Sequence, residues 1–170
     1  EFNPDLVAMS LMTVDRRQAF QLARLARARK SRTVAGGVHA SVCPEDLIKT
    51  GLFDAVVQGD GMGVWQKILE GYKDLDGRII QGARHGDPAL YYDRHYSEGQ
   101  KERMRRSKTF ETLTALGCPF SCTYCATRSK PFMVLPIGAV AQQIVEVHKE
   151  FGIEDVCIRD DMFTLSIERV

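Results

Sequence analysis

Short, apolar, β-rich runs alternate with stretches of helical periodicity along this chain, and that alternation confines it to a layered α/β architecture built on a parallel sheet. The first run, Leu6–Met12, is apolar throughout, which predicts a parallel strand buried on both faces. Asp15 is placed to cap the next helix, with Gln18 as its capping-box partner, and Ala19, Leu22, Ala23 and Ala26 fall at helical spacing as a buried stripe. Thr33–Ala35 predicts a second strand that ends in Gly36-Gly37. Pro44 then opens a short helix, with Glu45 and Asp46 in its first turn and Gly51 at its end. Asp54–Gln58 reads as a third strand, leading through Gly59-Asp60-Gly61-Met62-Gly63 into a helix that carries Val64, Trp65, Ile68 and Leu69 and stops at Gly71. Arg78–Gln81 reads as an edge strand.

From Gly82 to Lys108 the periodicity lapses. Tyr91, Tyr92 and Tyr96 are interspersed with charges, and the run 101–108 is basic, which predicts a solvated interdomain connection. The basic residues Arg24, Arg27, Arg29 and Lys30 complement the C-terminal end of the first helix and need no nucleic acid to explain them. Phe110–Leu116 predicts a strand, Gly138–Phe151 an amphipathic helix with Gly152 at its left-handed cap, and Asp155–Arg159 a further strand with Cys157 as a small buried residue. His148 lies where a helix C-terminus favours a cation. The expected organisation is a sheet domain over 1–82, a connection over 83–108 and a second β/α region over 109–170.

A net charge of +1 creates no field that would draw nucleic acid or an anionic membrane, and no apolar run approaches the ~20 residues that cross a bilayer. A cytoplasmic, reducing location is the expectation. The chain opens at Glu1-Phe2 without an initiator Met and stops at Ile167–Val170 in a stretch patterned like a helix start, so it is expected to belong to a longer protein.

Between the strand at 110–116 and the following helix stand Cys118, Cys122 and Cys125, in the run Gly117-Cys-Pro-Phe-Ser-Cys-Thr-Tyr-Cys125. Three thiolates at CxxxCxxC spacing can hold three irons of a 4Fe–4S cluster and leave the fourth open, because a closed protein shell needs four. A structural zinc site needs a fourth ligand, and His39, His85, His95, His148, Cys43 and Cys157 stand at no finger-like spacing from the trio. A disulfide framework fits an odd count of five cysteines poorly. With Tyr124 before the last cysteine, the run resembles the signature of the radical S-adenosylmethionine (radical SAM) superfamily.

That resemblance implies a partial β/α barrel whose first strand loop carries the cluster. The open iron would chelate S-adenosylmethionine, whose reductive cleavage yields a 5′-deoxyadenosyl radical. An electron donor such as flavodoxin or ferredoxin and a small-molecule substrate would be its partners, with nucleic acid and membrane not expected. Tyr124 and Phe120 would border the cluster or the adenine, or else pack the loop. Asp160 and Asp161, in the run Asp-Asp-Met-Phe, resemble the Asp-Asp-x-Phe form of the cobalamin-binding branch and replace its more common glycine-glycine-glutamate motif. They would hold the SAM ammonium group, or cap the next helix.

In the first half Ser10, Gly36-Gly37 and His39-Ala40-Ser41 resemble the cobalamin-binding domain joined to many of these enzymes. The family's Gly-Glu-Gly-Glu loop reads Gly59-Asp60-Gly61-Met62 here and loses one acid. By that resemblance Ser10, Gly36, Gly37, His39, Gly59 and Gly61 would receive the nucleotide tail of the corrin, the glycines because a Cβ would block a flat ring. The fold expected is therefore a partial doubly wound, Rossmann-like sheet followed by the first units of a radical SAM barrel. The function expected is methyl transfer to an unactivated carbon, the alternatives being radical cyclisation or rearrangement, or a non-catalytic cobalamin- or metal-binding module.

Overall fold

The computed structural model describes residues 3–84, 86–91, 95–125 and 131–165. His85, Tyr92 and the run Ile167–Val170 lie outside them. The chain forms two compact units, Glu1–Gly86 and Asp87–Val170. Among the described residues no helix is long and apolar enough to cross a membrane.

The first unit is a four-stranded sheet, β1 (Leu6–Ser10), β2 (Arg32–Gly36), β3 (Ala55–Gln58) and β4 (Arg78–Gln81), ordered β1-β2-β3-β4 and parallel throughout. Alternation along the strands divides the core in two. One face buries Ala35 and Val56 against Ala19 and Ala23 of α1 (Arg16–Ala28), Ala40 of α2 (Gly37–Val42) and Leu47 of α3 (Pro44–Ile48). The other packs Val34, Ala55 and Val57 on Ile68 of α4 (Trp65–Glu70) and on Leu75. Helices on both faces of a parallel sheet make a doubly wound, Rossmann-like layer. Leu47 is fully buried, so its truncation to Ala would cost about 2–5 kcal/mol.

Several expectations are corrected. The apolar run 6–12 ends as a strand at Ser10, and β1 is the outer strand of the described sheet, with Ala8 and Ser10 exposed rather than buried on both faces. Asp15 makes no side-chain cap to α1; its carboxylate accepts from the Met12 amide (3.3 Å), closing a single turn over Thr13–Asp15. Leu22 is 55 % exposed, because the narrow alanine stripe at 19, 23 and 26 already fills the contact with the sheet. The run after Gly36 folds as the helix α2, which its glycines and short length concealed.

In the second unit β5 (Thr109–Thr112) pairs in parallel with β8 (Asp155–Ile158), and α6 (Ile137–Phe151) connects them. Val147 and Phe151 of α6 pack on Phe110, Met104 and Ile153. Gly152 caps α6 in the left-handed region (φ 65°), its amide donating to the His148 carbonyl. The single strand expected over 110–116 is broken at Leu113-Thr114. Its second part, β6 (Ala115–Leu116), turns to an antiparallel ladder with β7 (Met133–Val134). The stretch expected to be a solvated connection holds a helix, α5 (Glu98–Ser107), capped by Ser97 and Gln100 and anchored by buried Met104. Cys157 is half-buried rather than enclosed, and His148 bonds the Ile153 carbonyl through Nδ1 (2.6 Å).

Candidate functional site

In the first unit the three strand exits form one knitted edge. The Leu11 amide donates to the Gly36 carbonyl (2.9 Å) and the His39 amide to the Leu11 carbonyl (3.0 Å), tying the β1 exit to that of β2. Ser41 donates its hydroxyl proton to the Gly37 carbonyl (2.8 Å) and accepts from the Gly59 amide (3.1 Å), tying in the β3 exit. Above this edge lies a cavity of about 280 Å³ lined by Ala8, Ser10, Gly36, Gly37, Gly59, Gly61 and Trp65, together with apolar strand residues. In open α/β sheets ligands bind at this end of the strands.

The cleft is carved by missing side chains. Gly37 sits at φ 89°, and a Cβ there would lie 2.7 Å from the Leu11 amide nitrogen and 2.8 Å from Ser10 Oγ. Gly59 also needs positive φ (101°). At Gly36 a Cβ would meet nothing within 4 Å, so that position is open to whatever occupies the cleft. None of the lining side chains is charged, so the space suits a flat, neutral group that can stack and accept or donate one hydrogen bond at Ser10.

Five of the six residues singled out in this half therefore converge. His39 does not line the cleft. It is buried, Nδ1 bonded to Thr13 Oγ1 (3.1 Å) and Nε2 with no hydrogen-bond partner among the described residues, and so acts as a brace between α2 and the β1 exit. Trp65 is not among the site residues the sequence singles out, and Ser41 enters there only as part of the run His39-Ala40-Ser41. The signal for Trp65 was its place as the sole tryptophan, directly after a glycine loop; that for Ser41 was a hydroxyl one helical turn after Gly37.

In the second unit Gly117, at φ 77°, leads from β6 into the cysteine loop. The Cys125 amide closes a turn on the Cys122 carbonyl (3.0 Å). Cys118 and Cys125 are half-buried and Cys122 is exposed, none of them in a disulfide. This donor set, three thiols on one short loop, suits a thiophilic metal or cluster. Among the described residues, however, no three potential ligands are gathered into a metal-holding group. Phe120 and Tyr124 are exposed, so neither packs the loop. A hydrogen bond with the Cys122 thiol, then the charges of Cys122 and Cys125, push the Tyr124 phenol above its ordinary pKa.

Asp160, at the exit of β8, reaches across to the root of this loop. Its Oδ1 accepts from the amides of Thr114 (2.6 Å) and Ala115 (3.1 Å), and its Oδ2 from the Thr114 hydroxyl (2.5 Å). Asp161 is exposed.

Comparison with known proteins fits the geometry of the first unit. Residues 1–69 match the B12 binding domain family. The strand-end cleft lies within the residues that match that family. The chain is also 25% identical over 156 residues to the bacteriochlorophyllide d C-8(2)-methyltransferase of Chlorobaculum tepidum, covering 86% of this chain and 34% of that protein. It is 23% identical over 202 residues to an uncharacterised methyltransferase of Pyrococcus horikoshii, covering 99% of this chain and 42% of that one. It spans well under half the length of these relatives. Among solved structures, the N-terminal domain of a hypothetical protein from Thermotoga maritima aligns at 31% identity over 48% of this chain and 66% of that chain, with a TM-score of 0.41.

Proposed function

We propose that this chain belongs to a cobalamin-dependent radical SAM methyltransferase. The observation that carries the cobalamin part is the glycine-floored cleft at the strand ends of the segment that matches the B12 binding domain family: Gly36 has no Cβ to intrude on a nucleotide tail, and Gly37 lets the backbone pass tightly against the β1 exit. Ser10 would bond the tail base, and Trp65 would close its apolar side. When bound, cobalamin supplies a methyl carrier, and a cluster with an open iron supplies the electron that cleaves S-adenosylmethionine. Cys118, Cys122 and Cys125 would hold that cluster, and the exposed Asp161 is the acid available to the SAM ammonium group. The two named relatives are methyltransferases, which favours methyl transfer over cyclisation or a purely binding role.

Two measurements test this on the full-length protein. Hydroxocobalamin added to the purified protein should show a saturable shift of its absorption spectrum. Anaerobic loading with iron and sulfide should give about four of each per chain, with a paramagnetic signal that changes when S-adenosylmethionine is added. A single zinc per chain and no response to S-adenosylmethionine would leave a binding module instead.

A further inference from the structure

We propose that Asp160 is the positioning residue of the cysteine loop: it fixes the hinge from which the loop departs, and Asp161 beside it does not. The inference rests on reading that loop as a metal-binding loop, but the hinge itself is visible without any metal.

The chain leaves β5 at Thr112 and must break its strand direction to reach β6. Thr114 is where it does so, and it is held from three sides. Its amide and its hydroxyl both donate to Asp160, at 2.6 and 2.5 Å, while its carbonyl accepts from the Leu135 amide (2.9 Å), just beyond β7. The next residue, Ala115, adds a second amide on Asp160 Oδ1 (3.1 Å) and begins the β6–β7 ladder. Thr114 and Ala115 are both buried, so these groups have no water to fall back on. Asp160 is placed for the task because the amide of its neighbour Arg159 donates to the Thr112 carbonyl (2.9 Å), which continues the β5–β8 register to the strand exit.

Everything from Gly117 to Cys125 therefore departs from a root pinned by one carboxylate on another strand. Charge-assisted bonds to amides are the strong kind. Both Asp160 oxygens are engaged with the loop root, which leaves the exposed Asp161 as the member of the pair that faces outward. The sequence alone left the two acids equivalent; the structure divides them.

The test compares Asp160→Ala, Asp160→Asn and Asp161→Asn in the full-length protein. The first readout is amide hydrogen exchange at Thr114 and Ala115 in metal-free protein. Asp160→Ala should speed it roughly ten-fold or more relative to wild type, equivalent to about 1.4 kcal/mol, and Asp160→Asn should fall between. Asp161→Asn should change nothing there. The amides of Val147 and Phe151 serve as an internal reference that the unit remains folded; if Asp160→Ala loses them, Asp160→Asn decides. The second readout is the rate at which iodoacetamide alkylates Cys118 and Cys125, together with iron retained after loading. Both should change in the order Ala, Asn, wild type. Unchanged exchange at Thr114 and Ala115 in Asp160→Ala would overturn the hinge. Faster exchange with unaltered alkylation and iron retention would overturn its link to the loop. If wild-type protein takes up no iron, the metal reading fails, and exchange and alkylation still decide the hinge.

Discussion

Backbone shapes the strand-end cleft of the first unit, whereas side chains on a projecting loop define the cysteine site of the second. At the edge beneath the cleft, Leu11, Gly36, Gly37, His39, Ser41 and Gly59 are joined by four hydrogen bonds, three of them between strand exits, and glycines stand where a Cβ would collide or intrude. The cysteine loop is pinned at its root by Asp160 and the β6–β7 ladder, while Cys122, Phe120 and Tyr124 face solvent. One region is shaped by hydrogen bonds between strand exits, the other by three thiols carried on one short loop.

The sharpest way to break that contrast is to fill the cleft. Gly37→Ala combines a left-handed backbone, which costs about 1–2 kcal/mol for a residue with a Cβ, with a collision 2.7 Å from the Leu11 amide nitrogen. It should lose the hydroxocobalamin shift entirely and lower the unfolding midpoint. Gly36→Ala separates the two effects, because its Cβ meets nothing within 4 Å in the protein itself. Its urea midpoint should match wild type, while the cobalamin titration weakens at least ten-fold. Equal cobalamin affinity in Gly36→Ala and wild type would show that the tail does not pass over this edge.

The complementary change, Cys122→Ala, removes an exposed thiol and no packing. Iron after loading should fall from about four per chain to under one, with hydroxocobalamin binding untouched. Coupled loss of both would mean that the two sites are not independent.

How far the sequence revealed these sites follows from the range of the forces involved. Ser10, Gly36, Gly37, Gly59 and Gly61 are singled out by the resemblance to a cobalamin-binding domain, and the structure places all five around one cavity. His39 was read as a ligand contact because it adjoins those glycines; its burial depends on Thr13, 26 residues away, which no local pattern shows. Asp160 was ambiguous for the same reason, since its partners lie 45 and 46 residues earlier. The apolar run at β1 could not distinguish a central strand from an outer one, because both are equally apolar until neighbours are counted. Helix α5 was missed through a lack of apolar content, with Met104 alone carrying its buried face, although Ser97 and Gln100 spelled out a capping box.

Asp54 tests the opposite end of the cleft's sheet. It sits at the foot of β3 and accepts from the Thr33 amide (2.8 Å), the Thr33 hydroxyl (2.9 Å), Arg32 (2.9 Å) and Arg27 (3.2 Å). Burial pushes its carboxyl up, but the Thr33 amide, Arg32, the Thr33 hydroxyl and Arg27 together outweigh it and hold the carboxyl below its ordinary value of 3.8. A lowered folded value means that the stabilisation is fully present above the unfolded value and is lost as pH falls through the folded one. Asp54→Asn should cost about 2 kcal/mol near neutral pH. It should also flatten the acid limb of the stability curve below about pH 4. The measurement is urea unfolding against pH, followed by amide exchange in β2 and β3. Parallel curves for variant and wild type would deny Asp54 this role.

The smallest expected effect lies at the start of α5. Ser97 Oγ accepts from the Gln100 amide (3.3 Å), and Gln100 Oε1 accepts from the Ser97 amide (2.8 Å), so two otherwise unmet helix-end donors are satisfied reciprocally. The adjoining Glu98–Lys101 pair is largely exposed and contributes little beside that box. Ser97→Ala should therefore cost about 1 kcal/mol, visible as faster amide exchange over the first turn of α5. Met104, one of the buried residues around Phe110 and Phe151, transmits part of that loss to the second unit's core. Exchange in β1–β3 and the hydroxocobalamin titration should not move. A shift in either would mean that the backbone-shaped cleft depends on the second unit for its stability, and the contrast drawn between the two sites would then have to be abandoned.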